Sequence, residues 1–143
     1  MTPAVQPQRD GPGALVRRFY AVRAEGGDPE ALRPLLAPDV DWVEPDVGAH
    51  MGRLTGAGAV LDMIRRAQAA TGGTFRLAVA ETVETRTHCA ALIAWSAERD
   101  GRTIRGRELA VFGVAGGRIA SATFHPEDIA DDRAFWGEAG PGR

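Results

Sequence analysis

Lysine is absent from this chain. All 17 basic residues are arginine, so no side-chain amine can form a Schiff base, and lysine-aldolase and internal-aldimine chemistry are excluded. The lysine of a phosphate-binding P-loop is missing as well, and no G-x-G-x-x-G follows a strand pattern. Cysteine occurs once, as Cys89, which excludes a disulfide framework and any cysteine-based zinc or iron–sulfur cluster within one chain. The only serines are Ser96 and Ser121, and neither sits in G-x-S-x-G. The histidines His50, His88 and His125 fall in no H-E-x-x-H pattern, and Glu44, Asp46, His50 and His125 match no metal-ligand spacing. No metal and no cofactor are expected. No apolar run approaches the roughly 18 residues of a membrane span, and the N-terminus lacks the apolar block of a signal peptide. A net charge of −2 over 143 residues lacks the basic excess of a nucleic-acid-binding domain. The expectation is a soluble, cytoplasmic protein that binds neither membrane nor nucleic acid.

What is present changes period along the chain. Residues 1–11 are a polar lead with prolines and read as a tail, residues 12–137 as one domain, and residues 138–143 as a second tail. Asp10 or Gly11 can cap a first helix with Pro12 at its start. Leu15, Phe19 and Val22 fall on one stripe of that helix, and Gly26-Gly27 ends it. Asp28-Pro29 opens a short helix with Leu32, Leu35 and Leu36 facing inward, kinked at Pro34 and closed by Pro38. Val40 to Glu44 alternates as a strand stopped by Pro45. Asp46 to Leu54 reads as a loop, and Thr55 caps a helix with Val60, Leu61, Ile64 and Ala67 on its buried side. From Thr74 the period becomes two. Strands are predicted over 74–84, 88–98, 103–114 and 118–125, with hairpins at Asp100-Gly101 and Gly116-Gly117, and a short helix over 131–136. Helices first and strands afterwards imply an α+β fold with helices on one face of a curved antiparallel sheet. In the strand 88–98, Cys89, Ala91, Ile93 and Trp95 line one face, and Ala90, Leu92 and Ala94 line the other. Both faces are apolar, so the one the helices leave open is expected to pack on a second copy as a symmetric homodimer.

Several residues in this order resemble a known family. Phe19-Tyr20-Ala21-Val22 is followed by Gly27-Asp28, then Leu35-Leu36-Ala37-Pro38-Asp39-Val40, then Val43-Glu44-Pro45, and Val111-Phe112-Gly113-Val114 precedes Gly117-Arg118-Ile119. The pattern resembles the nuclear transport factor two-like superfamily over roughly residues 13–136. That superfamily includes ketosteroid isomerase, SnoaL-type polyketide cyclases and limonene-epoxide-hydrolase-like enzymes. The resemblance implies a cone-shaped α+β roll with helices over the concave face of the sheet. It places Tyr20 where ketosteroid isomerase keeps an oxyanion-hole tyrosine and Glu44 on the catalytic carboxylate. Ala110 stands where a second oxyanion donor, an aspartate, belongs.

Each candidate has two readings. Glu44 is either a desolvated general base or a rim carboxylate paired with an arginine. Tyr20 is an oxyanion donor or a core tyrosine bonded to a backbone carbonyl. Trp42, two residues before Glu44, faces the same way and either stacks on a flat ligand or fills the core, while Phe112 would shape an apolar wall. Glu108 shares the Ala110 face, where it can pair with Glu44 as acid and base, or it holds Arg105 or Arg107. Asp46 and His50 follow Glu44 near the pocket mouth. His125, counted by twos from Ile119, shares a face with Ser121 and Thr123 and can shuttle a proton or make a structural hydrogen bond. The resemblance implies a cofactor-independent cyclase or isomerase acting by general acid/base catalysis on a small, largely apolar, polyketide-like substrate in a deep pocket. The alternatives are a non-catalytic hydrophobic-ligand or dimerisation module, and an epoxide-opening cyclase or hydrolase.

Overall fold

A computed structural model of the chain describes residues 11–45 and 52–137. Helix α1 (Pro12–Ala24) starts at Gly11, whose side chain offers no cap. The missing cap comes from a distant strand: Gly13 N–H donates to Glu84 Oε1 at 2.7 Å. The short helix expected after Asp28 is a 3-10 helix (Pro29–Leu35). Asp28 Oδ1 accepts from Glu30 N–H at 2.9 Å and Pro34 lies inside the turn. Strand β1 (Leu36–Val43) begins four residues earlier than the alternation suggests and contains Pro38. The ladder from β1 to the last strand (Arg118–Pro126) is interrupted between Leu36 and Asp41, so proline's missing N–H costs no rung there. A three-residue strand β2 (Arg53–Thr55) pairs with Asp41–Val43 where a loop was expected. Gly56, at φ 95°, takes the N-cap of α2 (Ala57–Ala70) in place of Thr55.

The meander is β3 (Arg76–Glu84), β4 (His88–Arg99), β5 (Arg102–Ala115) and β6 (Arg118–Pro126). Both expected hairpins are present. Asp100, Gly101, Gly116 and Gly117 all have positive φ, as tight hairpin turns require. The six strands form one curved, unclosed sheet in the order β2-β1-β6-β5-β4-β3, antiparallel except for β1 beside β6. The chain then turns through α3 (Ile129–Asp132) into a π-helical turn (Arg133–Gly137). Among the described residues no helix is long and apolar enough to cross a membrane.

Two apolar clusters hold this α+β fold together. In the first, Val16 and Phe19 of α1 and Val60, Leu61 and Ile64 of α2 cover the inner sheet face at Trp42, Ala91, Ile93, Ala110 and Phe112, all fully buried. Each large side chain contributes about 1.5–3 kcal/mol by leaving water. The second cluster joins Ala67, Trp95, Ala97, Phe135 and Trp136. It is clamped by arginines of the β4–β5 hairpin: Arg99 Nη1 donates to the carbonyls of Phe135 and Trp136, and Arg102 Nη1 to that of Ala134. On β4 the set Cys89, Ala91, Ile93 and Trp95 is buried under the helices. Ala90 and Leu92 stay half-buried and Ala94 exposed on the other face, so in one chain that face is open.

Candidate active site

A cavity lies where the two clusters meet, with Met63 and Phe124 of the first and Ala67, Trp95 and Trp136 of the second in its wall. Its volume is about 40 Å³, and with its open mouth the empty space is about 480 Å³. A void of about 40 Å³ has room for a few waters. Four ionisable side chains line it: Arg23, Glu44, Glu108 and Asp132.

Glu44 stands one residue past β1, its backbone N–H donating to Gly52 O at 2.9 Å. One carboxylate oxygen, Oε2, accepts the indole N–H of Trp42 at 2.8 Å. Burial pushes the Glu44 carboxyl up from its usual range, opposed by the Trp42 hydrogen bond and the Arg23 charge. Glu108 comes from the inner face of β5, opposite Ile93 of β4 and Pro126 of β6. Desolvation, followed by the neighbouring Glu44 charge, raises it to about 8, so at neutral pH it is mainly a carboxylic acid. Asp132 is delivered by α3 and is buried. Desolvation and the Glu44 charge raise it to about 6. Arg23 leaves the last turn of α1 with its guanidinium 5.3 Å from the centre of the Phe75 ring. The site thus gathers a glutamate held by one hydrogen bond, a second glutamate raised to about 8, an aspartate raised to about 6 and an arginine around a small void.

The predicted residues distribute unevenly around this cavity. Glu44 and Glu108 line it together. Arg107 is not the partner of Glu108; it pairs with Glu127 at 2.6 Å. Tyr20 is buried behind the wall against Phe19 and Phe112, and its hydroxyl has no hydrogen-bond partner among the described residues. Desolvation, and next the Glu108 charge, raise its pKa well above the ordinary phenol value, so the proton stays on. Trp42 and Phe112 were expected to shape a ligand wall. Both are fully buried in the core around Phe124, and it is Phe124 that reaches the cavity. His125 is exposed on the outer face, its Nε2 3.3 Å from Thr123 Oγ1. The count by twos fails because β6 carries one extra residue against β5: Ile119 pairs with Val114, but Ser121 pairs with Gly113. Asp46 and His50 lie outside the described residues. Arg23 and Asp132 went unnoticed in the sequence. Arg23 had a readable signal, three residues after Tyr20 and therefore on the same side of α1.

Comparisons with known proteins agree with this architecture. The model of the SnoaL-like domain family matches residues 16–122. An uncharacterised protein of Mycobacterium tuberculosis is 32% identical over 123 residues, covering 85% of this chain and 93% of that one. The structure of Bal32a, from a soil-derived mobile gene cassette, superposes with a TM-score of 0.82 at 26% identity over 87% of this chain and 95% of its own. An NTF2-like protein of unknown function from Burkholderia pseudomallei gives 0.78 at 24% over 88% and 97%; likeness at that identity shows the fold alone.

Proposed function

We propose, from the premise that this chain belongs to the SnoaL-like domain family, that it is a cofactor-independent cyclase or isomerase working by general acid/base catalysis. The observation that carries the reading is the convergence of Glu44 and Glu108 on one cavity, with Glu44 bonded to the Trp42 indole and Glu108 raised to about 8. Two carboxyls held in different surroundings can divide the labour of base and acid. Glu44, oriented by Trp42, removes a proton from a carbon acid or activates an oxygen nucleophile. Glu108, protonated at neutral pH, returns a proton at a second position. Glu108 lies two residues from Ala110 on the same inner face of β5, so it can supply the acidic donor that Ala110 cannot. The aromatic wall of Phe75, Trp95, Phe124 and Trp136 suits a small, largely apolar substrate of polyketide-like character. A cavity lined with three carboxyls and a guanidinium favours this reading over a purely hydrophobic ligand-binding module.

The test is solvent-deuterium exchange into a set of cyclic ketones and β-keto esters, followed by NMR. Glu44→Gln should fold normally and lose at least ~10² in exchange rate, the usual scale for a general base. An unchanged rate removes Glu44 from the mechanism.

The open outer face of the sheet supports the further reading that the protein works as a homodimer. Val83 and Leu109 are exposed there, beside half-buried Ala90, Leu92 and Val111.

A further inference from the structure

Among the described residues, Arg23 is the one basic side chain on the cavity wall. Three carboxyls share that wall, and the Arg23 charge lowers the pKa of Glu44 and Glu108. Yet among the described residues Arg23 makes no ion pair within 4.0 Å. Surface arginines of this protein behave differently: Arg33, Arg53, Arg65 and Arg107 all hold carboxylates. The Arg23 guanidinium is half-buried and rests over Phe75, an attraction that strengthens as water is excluded. It also lines an adjoining cleft of about 110 Å³ together with Gln68, Gly73 and Arg76. Arg23, Phe75 and Leu77 are common to the cleft and the cavity, so the guanidinium stands at the boundary between them.

A partly buried guanidinium that makes no ion pair among the described residues, beside a general base, is what a developing oxyanion needs. Neither position that the resemblance gives to an oxyanion donor serves: Ala110 has no polar side chain, and Tyr20 is not among the described residues that line the cavity. The geometry points to Arg23 as the oxyanion-binding catalytic residue, and to an enolisable carbonyl compound as substrate, seated with its oxygen toward the end of α1. This rests on Glu44 being the base. Glu44 takes the α-proton, the C–H electron pair becomes the C=C bond of an enolate, and the carbonyl π pair moves onto oxygen. Arg23 N–H groups donate to that oxygen. The proton then returns to carbon from Glu44 or Glu108, so the step balances with no oxidant or further reactant.

A phenolate mimics the planar, delocalised enolate, and 4-nitrophenol reports its own ionisation by absorbance. Wild-type protein should bind 4-nitrophenol in its ionised form, with the apparent pKa of the bound phenol lowered by about one unit or more. Arg23→Gln should weaken binding at least about tenfold, the scale of a charge-assisted hydrogen bond, and abolish the pKa shift; Arg23→Lys should restore part of both. If Arg23→Gln does not fold, the lysine variant and rescue of Arg23→Ala by added guanidinium ion decide. Binding of the neutral phenol, no binding, or an affinity within twofold in Arg23→Gln would overturn the assignment. Glu44→Gln separates the two readings. It removes a negative charge from the cavity, so it should keep or tighten phenolate binding while deuterium exchange is lost. Exchange that survives in Glu44→Gln with phenolate binding intact defeats the base and leaves Arg23 standing.

Discussion

The indole N–H of Trp42 reaches forward along its own strand to Glu44 Oε2 at 2.8 Å. The donor is fully buried and wedged between Phe19, Phe112 and Phe124, so it holds one carboxylate oxygen still and leaves the other for chemistry. Trp42 is a positioning residue in this arrangement. Trp42→Phe keeps an aromatic ring but removes the donor. The hydrogen bond lowers the Glu44 pKa against desolvation, so its loss should move the acidic limb of the pH–rate profile upward. A profile that keeps its acidic limb while the rate falls would mark Trp42 as packing only.

Glu108 should set the alkaline limb. As an acid it works only while protonated, so activity should decline as pH rises through about 8. Glu108→Gln should lower the rate and remove that limb. Stability follows the same sign. The folded-state pKa is raised above the unfolded value, so the protonated form favours the fold. That contribution is complete below about pH 4.5 and is lost as pH passes about 8. Glu108→Gln should therefore be more stable than the parent at pH 8 by on the order of 4 kcal/mol, with the gap closing toward pH 5. Urea midpoints at the two pH values check it.

The frame was readable because its signals are local and repeated. The change of period at Thr74 and the glycine-bearing turns at 100–101 and 116–117 name the meander by themselves. Features that depend on partner strands were not readable. The short strand β2 exists only through its pairing with Asp41–Val43. The extra residue in β6, which turns His125 outward, becomes visible only against β5. At the site, Glu44 and Trp42 share a strand at a spacing of two, so their common side was legible. Asp132 reaches the cavity because the last segment folds back and is clamped by Arg99 and Arg102, contacts no local pattern announces.

Glu84 should matter more than an exposed glutamate normally does. Its carboxylate caps α1 across 71 residues of sequence, where Gly11 supplies no side chain and the helix dipole favours a negative charge. Glu84→Ala should cost about 1 kcal/mol, the usual scale of a lost cap. Gly13→Ala should also destabilise, because an added Cβ would sit 2.9 Å from Glu84 Oε2. Thermal unfolding of the two single variants and the double tests the link. Costs that simply add would separate Gly13 from the cap.

The outer sheet face carries the last prediction. Register aligns Leu92, Leu109 and His125 in one row across β4, β5 and β6, and Val83, Ala90, Val111 and Thr123 in the next row, from β3 to β6. Together they form an apolar stripe with Leu109 and Val83 its most exposed members. The helices are committed to the other face, and a sheet face of this kind is most simply covered by an identical one about a twofold axis. Light scattering at ~100 μM should give twice the 15.2 kDa chain mass. Leu109→Arg lies at the centre of the stripe and outside the cavity wall, so it should return the protein to the single-chain mass with its far-UV circular dichroism unchanged. A parent that already runs at the single-chain mass would leave this face without a second copy.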